Sequence, residues 1–176
     1  MAADLALLLD PGYLGDLPAR PMEEVRAMRA ECQQVETGLS LLRRLVQGRL
    51  DIVGIELTRR ANGDDPADLA ELIARLPEVL SDRTHAPGLG RLPQMMSPGD
   101  LPADFEAELD AIVGGSGLSQ LSAQTDEQLR SITDRLAELE VKVSGQRHAL
   151  FGKIDALQAE ITRRYKTGEA SVDSLL

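Results

Sequence analysis

The chain of 176 residues has no tryptophan, two phenylalanines and two tyrosines, too few large rings to fill a thick globular core. It is nevertheless 43% hydrophobic, and helices packed in pairs use such a composition well, because each buries only one stripe. The single cysteine, Cys32, excludes an internal disulfide and points to a reducing, cytoplasmic compartment. Two histidines, His85 and His148, supply no metal cluster, so no metal is expected. Positive charge is also short, with 19 Lys and Arg against 29 Asp and Glu and a net charge of −10. That balance argues against direct binding to DNA, RNA or an anionic membrane. It suits instead a protein partner with basic patches, such as a nucleic-acid-binding factor. The run Leu5 to Leu9 is too short to span a bilayer and lacks the basic flank of a signal peptide.

What is present is a repeated polar stripe. In ETGLSLLRRLVQGRLD, Glu36 to Asp51, a helical turn of about 100° per residue sets Glu36, Ser40, Arg43, Gln47 and Asp51 within about 80° of one another over roughly 22 Å of axis. The segment Glu140 to Asp155, EVKVSGQRHALFGKID, repeats the pattern with Glu140, Ser144, Arg147 and Asp155, and Phe151 stands where the first copy has Gln47. Charge on a helix is ordinarily a solvated face. Solvation does not call for the same arginine, serine and two acids at the same angles twice.

Each copy lies on a long helix with a heptad seam. Pro21 suits a first helical position, and Val25, Met28, Cys32, Val35, Leu39, Leu42, Val46 and Val53 then recur at threes and fours, interrupted at Arg49, until Asn62 and Gly63 end the helix. Cys32 falls on this seam as plain core. The second helix is signalled by the capping box Thr125 and Gln128, with a possible start near Leu118, and its seam is Leu129, Ile132, Leu136, Leu139, Val143, Leu150 and Leu157 with Gln146 and Lys153 inside it. The polar stripe borders the seam, so a bound ligand could touch both helices.

The expected fold is all-α: an antiparallel two-helix coiled coil, or helical hairpin, roughly 60 Å long, with a short N-terminal helix and a partly helical connector rich in Pro and Gly. The divisions are an N-terminal docking segment (1–20), helix one (21–62), a connector with two short helices and a mobile loop at 81–101 (63–117), helix two (118–168) and a tail (169–176). The two connector helices are read at Asp65 to Leu76 and Asp100 to Val113. Centring the stripes on each other makes opposed residue numbers total about 191 and sets Arg43 opposite the neighbourhood of Arg147.

Two E-x3-S-x2-R-x3-Q-x3-D stripes on two long helices resemble the RsiG family of c-di-GMP-responsive anti-sigma factors of sporulating actinobacteria. The resemblance implies a hairpin that binds c-di-GMP, as a dimer of the dinucleotide, and when loaded sequesters a WhiG-like sigma factor as a heterodimer with one monomeric hairpin. Carried over by position, the ligand set is Glu36, Ser40, Arg43, Gln47 and Asp51 with Glu140, Ser144, Arg147 and Asp155; Phe151 departs from the pattern. The chemistry fits, since an arginine fork can bond guanine O6 and N7 or stack on the base, and carboxylates accept from guanine N1–H and its amino group. Two other classes compete. One is a structural coiled-coil adaptor without a nucleotide ligand. The other, an enzyme, lacks a nucleophile with its base or a metal set, and no catalysis is expected.

Overall fold

The computed structural model describes residues 4–63, 103–113 and 121–169. Among them every regular element is helical. Helix α1 (Leu5–Leu9) begins where the Asp4 carboxylate accepts from the Ala6 N–H at 2.9 Å. Two 3-10 turns, Pro11–Leu14 and Leu17–Ala19, lead into α2 (Met22–Asn62), and α3 (Ala103–Val113) precedes α4 (Asp126–Thr167). The connector helix expected from Asp65 and the loop 81–101 lie outside the described residues.

The ends of the long helices follow from local chemistry. Acids in the first turn of α2, Glu23 and Glu24, and bases in its last, Arg59 and Arg60, oppose the helix dipole. Gly63 then turns to φ 72°, a left-handed conformation that costs a residue without Cβ little. Helix α4 opens with the reciprocal box: Thr125 N–H donates to Gln128 Oε1 at 2.8 Å, and Gln128 N–H to Thr125 Oγ1 at 3.2 Å.

The long helices pack against each other as a helical hairpin, the expected class. The chain forms two compact units, each built from half of α2 and the opposing half of α4. The first holds residues 4–41 and 143–169; the second holds 42–63, 103–113 and 121–142. Every expected seam residue is buried, Val25 to Leu39 with Val143 to Leu157 in the first unit and Leu42 to Val53 with Leu129 to Leu139 in the second. Ile154 and Ile161 join the first seam, and Phe105, Leu109 and Ile112 of α3 add to the second core.

Register differs from expectation. In the first unit Glu36 pairs with Arg147, and in the second Arg43 pairs with Glu140 and Arg60 with Asp126. These partners total 183 to 186 rather than 191; Arg26, bonded to the Tyr165 hydroxyl, keeps the expected total. The observed pairs give each arginine a carboxylate, where a centred register turns guanidinium toward guanidinium.

The repeat extends well beyond the stripe. At the same offset of 104 positions that relates Arg43 to Arg147, ELTRR at 56–60 answers EITRR at 160–164, and the 3-10 residues Leu17 and Ala19 answer Leu121 and Ala123. Each unit uses this extension as a clamp. In the second, Arg60 bonds Glu56 at 2.7 Å, Asp126 at 2.9 Å, and the carbonyls of Leu121 and Gln124 at 2.8 and 2.7 Å, just ahead of α4. In the first, Arg164 bonds Glu160 at 2.6 Å and the carbonyls of Leu17 and Arg20, both at 2.8 Å, just ahead of α2. Each arginine bonds the carbonyl that ends its 3-10 turn, Arg20 or Gln124, and adds a second donor to the Leu17 or Leu121 carbonyl that already accepts within the turn, and Glu56 and Glu160, both buried, hold its charge.

The cations that interrupt the seams have a matching use. Arg49 donates to the Leu109 carbonyl of α3 at 3.2 Å, and its counterpart Lys153 donates to the Asp10 carbonyl that closes α1 at 2.7 Å. Lys153 also lies over the Tyr13 ring at 5.5 Å, and the Tyr13 hydroxyl donates to Glu31. Burial pushes the Cys32 thiol in the core and the half-buried Tyr13 hydroxyl up in pKa.

Arg60→Ala and Arg164→Ala should each destabilise the protein by about 1–2 kcal/mol, since each strips the Gln124 or Arg20 carbonyl of its guanidinium donor while Arg59 and Arg163 still hold the glutamates; urea unfolding followed by circular dichroism measures it. The fork of Arg163 and then Arg164 holds the Glu160 carboxyl down at about 2. A depressed carboxyl stabilises the fold above its unfolded value and loses that contribution as pH falls through the folded one. The unfolding midpoint should therefore drop between about pH 5 and pH 2, and Arg163→Ala with Arg164→Ala should flatten that dependence.

Candidate functional site

The polar stripes meet the opposite helix at two clusters, one in each unit. In the second unit Arg43 Nε donates to Glu140 Oε1 at 2.8 Å, and Gln47 Nε2 donates to the same oxygen at 3.0 Å. In the first, Arg147 Nε donates to Glu36 Oε1 at 3.0 Å, and Ser40 Oγ donates to that oxygen at 2.8 Å. Each cluster thus joins the glutamate of one copy to the arginine of the other, with a neutral donor as the third member. The helical spacing produces this directly, because Glu36 and Ser40, like Arg43 and Gln47, are four apart and share a face.

Both pairs lie at the edge of the seam rather than inside it. The Arg43 and Glu140 side chains are 35% and 21% exposed, those of Arg147 and Glu36 22% and 8%. Arg43, Glu140 and Arg147 are partly open to solvent, while Glu36 is buried against the seam. Asp51 is half-buried on the second unit; Ser144 is half-buried and Asp155 exposed on the first. The structure therefore gathers Glu36, Ser40 and Arg147 in one cluster and Arg43, Gln47 and Glu140 in the other. His148 is exposed.

Phe151, the departure from the repeat, has a distinct contact. Its ring lies 5.1 Å from the guanidinium carbon of Arg147, one helical turn earlier. Where Gln47 offers its amide to Glu140, Phe151 offers a π face to the arginine.

The clamp residues Glu56, Arg60, Glu160 and Arg164 and the seam cations Arg49 and Lys153 tie the long helices to the short elements beside them and were not among the residues singled out from the stripe. Their signal was in the chain all along, as the E-x-T-R-R that follows Asp51 and Asp155 at equal distances.

Fold and clusters together define a helical hairpin that carries a charged, partly open cluster at the seam margin of each unit. Among the described residues no group of acids, histidine or cysteine could hold a metal ion, and no helix is long and apolar enough to cross a membrane. The chain belongs to the RsiG-like family, whose model matches residues 11–80 and 115–176, a family of anti-sigma factors. A search of curated proteins finds no match.

Arg43→Glu should weaken the hairpin, and adding Glu140→Arg should restore it. For side chains this exposed the coupling should be about 0.5–1 kcal/mol, and a double-mutant cycle in chemical denaturation reads it.

Proposed function

We propose that the chain is a c-di-GMP-responsive anti-sigma factor, which binds the dinucleotide through Glu36, Ser40, Arg43, Gln47, Asp51, Glu140, Ser144, Arg147 and Asp155 and, so loaded, sequesters a WhiG-like sigma factor. Family membership supports the anti-sigma role. The observation that carries the ligand assignment is the matched pair of clusters, each with one arginine, one glutamate and a neutral donor. Cyclic diguanylate has two identical halves, each with a guanine edge and a phosphate, and two clusters that each pair an arginine with a glutamate suit it, singly or as a dimer.

The ion pairs set the thermodynamics of binding. A phosphate or a guanine O6 and N7 edge takes the arginine fork, and the glutamate released from it accepts from guanine N1–H and the amino group. No charge is stranded by that exchange, because each ion of the pair finds a partner on the ligand. Adenine has an acceptor at N1 and no 2-amino group, so c-di-AMP cannot give the carboxylates guanine's adjacent pair of donors, leaves Glu36, Glu140 and Asp51 unsatisfied and is rejected. The exchange also ties ligand to partner. Bound dinucleotide replaces a direct contact between the helices with a bridge of fixed width, and the partner surface is then presented in one geometry. A basic, DNA-binding sigma factor matches the net charge of −10. The complex is read as one hairpin with one sigma factor, in the cytoplasm, under the control of sporulation.

Arg43→Ala or Arg147→Ala should lower c-di-GMP affinity at least ten- to a hundredfold, about 1–3 kcal/mol, while circular dichroism stays helical. Calorimetric titration that finds wild-type affinity in both, or tight binding of c-di-AMP, refutes the ligand assignment. Sigma-factor affinity should rise with saturating c-di-GMP by about 1–3 kcal/mol, reciprocally, and should not respond in Arg43→Ala; an unchanged affinity refutes the switch.

A further inference from the structure

The two clusters are not equal, and the inequality traces to one residue. Glu140 receives Arg43 Nε and the Gln47 amide on a single oxygen. The position equivalent to Gln47 is Phe151, which cannot donate, and Glu36 takes its second bond from Ser40 instead. Phe151 turns to the arginine, with its ring 5.1 Å from the Arg147 guanidinium carbon. Arg147 is consequently held twice, through Nε by Glu36 and over the ring by Phe151, and it is the less exposed of the two arginines, 22% against 35%.

A guanidinium is a flat cation with two faces and an edge. When an aromatic ring orders one face, the plane is fixed before a ligand arrives, and a purine can stack on the remaining face without first freezing a long flexible side chain. Arg43 has an amide neighbour in place of a ring, so its cluster recognises by directed hydrogen bonds. We propose that Phe151 is a positioning residue that presets the Arg147 guanidinium as a stacking platform for a guanine base, so that the Arg147 half of the site binds by stacking and the Arg43 half by hydrogen bonding. The proposal rests on the c-di-GMP reading above and deepens it.

The test is c-di-GMP titration of the full chain by calorimetry, with five variants: Phe151→Ala, Phe151→Leu, Phe151→Tyr, and Arg147→Ala with and without Phe151→Ala. Leucine keeps apolar bulk and helicity but has no π face, which separates packing from platform. Phe151→Ala and Phe151→Leu should both weaken binding about three- to tenfold, Phe151→Tyr should stay within about twofold, and Phe151→Ala should cost nothing more once Arg147→Ala is in place. Wild-type affinity in Phe151→Leu, or additive losses in the double variant, overturns the platform while leaving the ligand reading intact. A wild-type chain that does not bind c-di-GMP overturns both.

Discussion

A pair of helices can bury one stripe of each and nothing more, so every polar task has to be done by residues at the margin of that stripe. All the features of this chain that carry chemistry sit there. Arg43, Arg147, Glu36 and Glu140 flank the seam and bridge it; Arg49 and Lys153 interrupt it and reach out to the short helices; Glu56, Arg60, Glu160 and Arg164 close it at either end. A thick core would let such groups be supported from behind by a second layer. Here each must be supported by another residue of the same margin, which is why arginine, with its multiple donors in a rigid fork, recurs at nearly every junction.

The clamps and the clusters use similar groups for opposite ends. Arg164 is 5% exposed and spends its donors on Glu160 and on backbone carbonyls, so it has nothing to offer a solute and serves stability. Arg43, 35% exposed, holds a carboxylate on the opposite helix at a solvent-facing edge. A partly exposed pair of that kind adds little to stability; its counterpart in the other copy sets Arg147, 22% exposed, against the buried Glu36. Phe151 marks where the copies have parted: its neighbour's guanidinium is ordered by a ring where the other copy uses an amide.

The sequence by itself determined the helices, their seams and the stripes. Periodicity of apolar residues needs only local geometry, and so Val25 to Val53 and Leu129 to Leu157 could be named as buried before any partner helix was known. Thr125 with Gln128 and Gly63 likewise act through neighbours a few residues away. Tertiary structure alone decided the register. Centring two motifs was a symmetry argument and placed like charges together, whereas the fold pairs Glu36 with Arg147 and Arg43 with Glu140, because the meshing of two seams depends on both helices at once. It also decided what the seam cations and the E-x-T-R-R segments are for. The letters were visible at 56–60 and 160–164, but their partners are backbone carbonyls at Leu121, Gln124, Leu17 and Arg20, and a carbonyl has no signature in a sequence because every residue carries one.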